Sequence, residues 1–216
     1  ACGVRRVNVS LDSLDPHTYA QITRGGRLEN AVRGIRAAAE AGIACKINVV
    51  ALKDQNAEEI PSLVEWAHGH GHDISLIEVM PTADTGHDRR LQFLPLSAVR
   101  DQLDQRWTLT PSAHRTAGPA RYWDIRETGG RLGLITPLTE NFCAGCNRVR
   151  VTSTGRLVLC LGREDGVDLR AALRGRGDLD AAIERGLGIK PERHDFERAY
   201  LAGKASVSRS MSTTGG

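Results

Sequence analysis

The chain has 216 residues, 40% of them hydrophobic and 25% charged, and a formal net charge of +3. That suffices for one sizeable core, or one domain with a substantial extension, of ordinary globular composition. No apolar run nears the roughly eighteen residues of a membrane span, no leader pattern opens the sequence, and the charge is too small to argue for nucleic acid by itself. Arginine outnumbers lysine 25 to 4, a bias attributable to genome composition. Of five cysteines, three are clustered while Cys2 and Cys45 stand apart, which fits a reducing cytoplasm and a metal site better than a disulfide framework.

The first residues lack a start Met and run straight into a strand, so the chain is expected to begin inside a domain. Val7–Leu11 alternates apolar and polar residues and ends in Asp12-Ser13-Leu14-Asp15-Pro16, a strand and then a turn. Leu28, Ala31, Val32, Ile35, Ala38 and Ala39 have helical spacing, with Gly42 as a stop. Cys45–Leu52 is mostly apolar, as a buried parallel strand should be. Asn56 with Glu59 forms a capping-box pattern before a helix through Ile60, Leu63, Val64 and Ala67 that breaks at Gly69. Ile74–Met80 is a third strand. Strand, helix, strand, helix, strand predicts parallel pairing with right-handed crossovers. After Pro81 the rhythm stops. Thr82–Leu91 reads as a polar linker, followed by a short helix at Ser97–Asp104 and apolar segments at Trp107–Leu109, Tyr122–Ile125 and Leu132–Ile135. With the cysteine-bearing hairpin, these segments predict a separate α+β region. The division is thus an α/β unit at 1–81 and a second region at 82–216, with helical patterns at Leu169–Leu173 and Leu179–Ile183.

The most informative stretch is Phe142–Cys160, F-C-A-G-C-N-R-V-R-V-T-S-T-G-R-L-V-L-C. Val149 and Val151, then Leu157 and Leu159, alternate with polar residues around Ser153-Thr154-Gly155, which predicts a hairpin that returns Cys160 to the Cys143/Cys146 pair. Three converging thiolates suit zinc, Cu(I) or an iron–sulfur cluster. Structural zinc wants four ligands, and no fourth Cys or His follows within thirty residues. A [4Fe–4S] cluster on three cysteines instead leaves one iron open. Buried or disulfide-forming cysteines are the plain alternative. Arg148 and Arg150, two apart on a strand, share a face and read either as solvated charge or, beside a metal, as anion recognition.

F-C-x-x-C-N-R-x-R-x-T-x-x-G-x-L-x-x-C-L resembles the C-terminal cluster signature of the molybdenum cofactor biosynthesis protein A family, radical S-adenosylmethionine enzymes that cyclise GTP. The resemblance implies that Cys143, Cys146 and Cys160 hold a [4Fe–4S] cluster whose open iron meets guanine, and that Arg148, Val149 and Arg150 bind the nucleotide. It assigns the GTP phosphates to Lys46, in a segment similar to the family's K-x-N-V-V, and S-adenosylmethionine to Ser10 and Met80 at carboxyl ends of strands. Read without it, Ser10 is a turn residue and Met80 core filler. Gly215 and Gly216 resemble the family's Gly-Gly tail, which reaches the active site. Ser75 departs from the family's R-F-I-E-x-M, where an arginine serves the substrate, so the phosphate grip is expected either to be weaker or to be filled by another arginine such as Arg89 or Arg90.

The implied fold is α/β, the later half of a partial (β/α) radical SAM barrel with a C-terminal α+β cluster-binding region. The implied setting is cytoplasmic and free of membrane and nucleic acid, with the cyclic pyranopterin monophosphate synthase acting downstream and a homodimer compatible. The cluster that cleaves S-adenosylmethionine would lie on a C-x3-C-x2-C run absent from this sequence, so the chain alone is expected to be inactive, with Val7–Leu11 an aggregation-prone sheet edge. A zinc-ribbon module contacting nucleic-acid phosphates is the rival reading, with His194 as the nearest downstream fourth ligand.

Overall fold

The computed structural model describes residues 3–82, 89–116, 118–175, 177–209 and 211–214. Their contacts divide them into two compact units, one of residues 1–79 with 91–139, the other of 80–90 with 140–216.

The first unit opens with β1 (Arg6–Ser10), then α1 (Pro16–Thr23), α2 (Leu28–Glu40), β2 (Ala44–Ala51), α3 (Ile60–Gly69) and β3 (Asp73–Glu78). β1 pairs with β2 and β2 with β3, both in parallel, as the alternating pattern predicts. α1 was not foreseen. Its signal is local: the Asp15 carboxylate accepts the Thr18 N–H at 2.7 Å, and Pro16 fills the first turn, where a missing N–H does no harm. α2 ends where expected, with Gly42 at φ 71°, a conformation most side chains resist.

The capping box before α3 does not form. Asn56, 1% exposed, turns away from the helix, accepting the Leu52 N–H at 2.8 Å and donating to the Asp12 and Val50 carbonyls at 2.7 and 2.9 Å. Glu59 accepts the Ser13 hydroxyl and the Leu14 N–H instead. Both side chains therefore tie the turn after β1 to the turn after β2.

α4 (Leu96–Asp104) is followed by β4 (Leu109–Pro111), β5 (Arg121–Ile125) and β6 (Arg131–Ile135). These strands do not build a separate region with the cysteine hairpin. β6 pairs in parallel with β3, and β5 and β4 add antiparallel to it, giving one six-stranded sheet of order β1-β2-β3-β6-β5-β4. The compact units accordingly do not divide at residue 81, because residues 91–139 complete the first sheet. Leu132 and Leu134, at 0% and 3% exposure, extend the apolar row of Ile47, Val49, Ile74 and Leu76, and that shared burial binds the late strands to the early ones. This face joins Ile35 of α2, Leu63 and Val64 of α3, and Val99 and Leu103 of α4 in one cluster. β1 is an outer strand with Arg6, Asn8 and Ser10 exposed.

In the second unit, β7 (Arg150–Val151), β8 (Arg156–Val158) and β9 (Gly166–Asp168) form a three-stranded antiparallel sheet. The predicted hairpin is there, with Val151 opposite Leu157 and Gly155 at φ 80°. The third strand was not read, being only three residues of G-V-D. α5 (Leu169–Arg174) and α6 (Leu179–Gly188) carry Asp168 and Asp178 as side-chain caps. α7 (Phe196–Leu201) and the four-residue α8 (Met211–Thr214) complete the unit. Among the described residues no helix is long and apolar enough to cross a membrane.

Candidate functional site

Cys143 opens a short 3-10 turn, Cys143–Gly145, and Cys146 closes it. The main chain makes this turn because the Asn141 carboxamide accepts the Cys143 N–H at 2.7 Å and the Cys143 carbonyl accepts the Cys146 N–H at 2.9 Å. Cys160 follows β8 by two residues. Burial pushes the Cys160 thiol up, and the charges of Cys143 and Cys146 push the same way, against the Gly162 N–H and the Lys190 ammonium, but among the described residues the three thiols are not gathered as a metal-holding set. Burial also raises Cys146, but the Arg148 amide and guanidinium together with Lys190 bring it below the ordinary thiol value. Cys45 takes no part. It is buried against the Ile35 and Ile43 carbonyls, and burial raises its thiol. Cys2 lies outside the described residues.

Each clustered sulfur meets a donor. Cys143 Sγ accepts the His194 main-chain N–H at 3.4 Å, Cys146 Sγ accepts from the Arg148 guanidinium at 3.6 Å, and Cys160 accepts from Gly162. Arg148 also lies over the Phe142 ring, 5.2 Å from its centroid. Arg148 is outside the two-residue β7, so only Arg150 is strand-borne. Burial and the Arg148 charge depress the Arg150 guanidinium, while Cys146 and Cys160 favour its cation. Val149 stands half-buried between them. A cleft of about 560 Å³ is lined by Cys143, Cys146, Leu187, Lys190 and Arg193, among others.

Three thiols with amide and cationic donors beside them are ligands of the type that zinc and iron–sulfur clusters take. A single zinc draws thiolates to about 2.3 Å from one point. In a [4Fe–4S] cluster each of three thiolates would take its own iron. Amide and cationic donors at those sulfurs are the means by which a protein tunes such a group.

In the first unit, Ser10 is exposed at the carboxyl end of β1, opposite Asn48 of β2. Lys46, on β2, reaches the Tyr122 hydroxyl at 3.4 Å, with Nζ 5.9 Å from that ring's centroid. The half-buried cation thus finds a neutral partner. Ser75 is fully buried, between Asn48 and Gly133 in register. Ser75 Oγ and Asn48 Oδ1 lack hydrogen-bond partners. A Cβ on Gly133 would lie 2.5 Å from Ser75 Oγ and 2.9 Å from Tyr122 Cε1, so the bare backbone of Gly133 makes room for both side chains. In the second unit Met80 is half-buried, and Arg90 packs against Gly203, where a Cβ would come within 2.7 Å of its Nη1. The Arg89 side chain, Gly215 and Gly216 lie outside the described residues.

Sequence reasoning passed over His194 except as a zinc ligand, and passed over Lys190 and Phe142. The run K-P-E-R-H-D-F after α6 was the available signal.

Residues 72–196 match the Molybdenum Cofactor Synthesis C family, and residues 1–67 match the Radical SAM superfamily. The chain belongs to the Molybdenum Cofactor Synthesis C family. Among its relatives is a protein of Erythrobacter litoralis named GTP 3',8-cyclase, 56% identical over 217 residues, 99% of this chain and 65% of that protein. Proteins of the same name from Rhizobium meliloti and Bradyrhizobium diazoefficiens are each 54% identical over 218 residues, covering 100% of this chain and 62% and 63% of theirs. The chain therefore spans somewhat less than two thirds of these relatives. The cysteine-bearing hairpin lies inside the family match.

Proposed function

We propose that this chain is the larger part of a radical S-adenosylmethionine GTP 3',8-cyclase of molybdenum cofactor biosynthesis, carrying its GTP-binding cluster. The observation that carries the reading is the 56% identity, over 99% of the chain, to a protein of that name. The charges of Cys143 and Cys146 felt at the Cys160 thiol support it. These three cysteines would hold a [4Fe–4S] cluster, which when bound offers an open iron as a Lewis acid to the purine.

The chain's own residues then have separate tasks. Arg150, half-buried beside two thiols, and Arg148, fixed on Phe142, offer charge-assisted donors to a polyanion, with Val149 between them. Lys46, held by neutral Tyr122, keeps its charge available for phosphate. Ser10 and Met80 would contact S-adenosylmethionine, and Gly215 and Gly216 would approach the substrate as bare backbone. With Ser75 buried, the anion-binding load falls on Arg148, Arg150 and Lys46, with Arg89 or Arg90 as reserves. Radical generation belongs to S-adenosylmethionine and a further cluster on a C-x3-C-x2-C run that this sequence lacks. The 216-residue chain should therefore load its own cluster and bind GTP without forming 5'-deoxyadenosine. We place the protein in the cytoplasm, as a homodimer, handing its product to a cyclic pyranopterin monophosphate synthase.

Calorimetry with GTP on the cluster-loaded chain tests the nucleotide reading. Arg150→Ala should weaken binding by about 1.5–3 kcal/mol, the range of a hydrogen bond to a charged group. Unchanged affinity would return Arg150 to the solvated-charge reading.

A further inference from the structure

Residues 206–209, near the end of the chain, are tied down one by one. Ser206 donates its main-chain N–H and its hydroxyl to the Pro81 carbonyl at 2.7 and 3.0 Å, Val207 is buried, and Ser208 donates its N–H and hydroxyl to one Glu164 oxygen at 2.7 and 3.1 Å. Arg209 completes the series. Its Nη1 meets the other Glu164 oxygen at 2.8 Å, while Nη2 reaches the Cys160 and Leu161 carbonyls at 2.8 and 3.0 Å and the Arg163 carbonyl as well. All four partners lie on Cys160–Glu164, within the connection from β8 to β9.

A frayed terminus lacks such bonds. An exposed ion pair alone is worth little, but the Arg209 side chain is only 14% exposed, and three of its four partners are main-chain oxygens. Removing a donor from part-buried carbonyls is costly. The planar fork of a guanidinium serves several such acceptors at once, which a lysine ammonium does not. One of these acceptors belongs to Cys160 itself, and the Arg209 charge is also felt at Arg150.

We infer that Arg209, braced by Glu164, clips the end of the chain onto the loop carrying Cys160 and so fixes that thiol's position. Arg209 acts through the Cys160 main chain, which makes it a positioning residue. The clip stands on these bonds alone, while its service to a cluster rests on the function proposed above.

Alkylation of the reduced, metal-free chain with iodoacetamide, mapped to each cysteine by mass spectrometry, reads the loop directly. Arg209→Ala should raise the labelling rate of Cys160 about tenfold, equivalent to ~1.4 kcal/mol of loop closure, and change Cys143, Cys146 and buried Cys45 far less. Arg209→Lys, which keeps the charge but loses the fork, should fall between Ala and wild type. Glu164→Ala, which leaves the carbonyl bonds in place, should also do less than Arg209→Ala. A wild-type rate at Cys160 in Arg209→Ala would overturn the inference, as would an equal rise at Cys45, which marks general unfolding. If Arg209→Ala melts below the assay temperature, Arg209→Lys decides by the same two criteria. After loading with iron and sulfide, Arg209→Ala should release iron to a chelator faster than wild type, and equal release would remove the service to a cluster. A wild-type chain that takes up no iron and sulfide removes the cluster reading and leaves the labelling to decide the clip.

Discussion

Glu78, the last residue of β3, is fully buried, and its carboxylate accepts the Leu96, Leu138 and Thr139 N–H groups at 3.2, 2.9 and 3.1 Å and the Thr139 hydroxyl. Four donors meet one carboxylate, which binds α4 and the end of the β6 connection to β3. Glu78→Gln sets an NH2 group against those donors and should cost about 1–3 kcal/mol per group left unsatisfied, read by chemical denaturation. His68 adds a pH dependence. Burial, opposed by the Arg131 carbonyl and the Asp73 charge, holds its imidazole below 6.5, and burial with neighbouring His70 does the same for His72. The unfolded chain then binds protons first as pH falls, so stability is intact above about 6.5 and lost through the lower folded values. Denaturation at pH 7.5 and 5.5 should show that loss, with a shallower slope in His68→Gln. An equal slope would remove His68 as the cause.

Long periodic elements were legible, and of the short ones those with apolar alternation were read while α1 and β9 were not. α2 and α3 declare themselves through apolar spacing, and β2 and β3 through apolar runs. α1 rests on one cap and one proline, and β9 on three residues with no apolar alternation. The placement of β4–β6 was missed for another reason: pairing β6 with β3 is a contact between residues about sixty apart in sequence, which local pattern does not encode. The capping box failed because tertiary hydrogen bonds claimed both of its side chains. Asn56→Ala should accordingly act on the turns after β1 and β2, costing about 1–3 kcal/mol for unsatisfied buried main-chain groups. Proteolysis should then open near residues 52–56, with α3 helicity retained. A variant that lost α3 instead would restore the capping role.

For the whole molecule, the three cysteines and two arginines were visible because a cluster signature is compact in sequence. Lys190 and His194 were less so, because the chain passes through β9, α5 and α6 before bringing them to the thiols. The most direct test is to reconstitute the chain without oxygen and measure iron and acid-labile sulfide per chain, in wild type and in Cys160→Ser. The account predicts about four of each in wild type, with the spectrum of a [4Fe–4S] cluster, and loss of most of both in the variant, since two thiolates hold such a cluster poorly. One zinc per wild-type chain, or full iron and sulfide in Cys160→Ser, would contradict it.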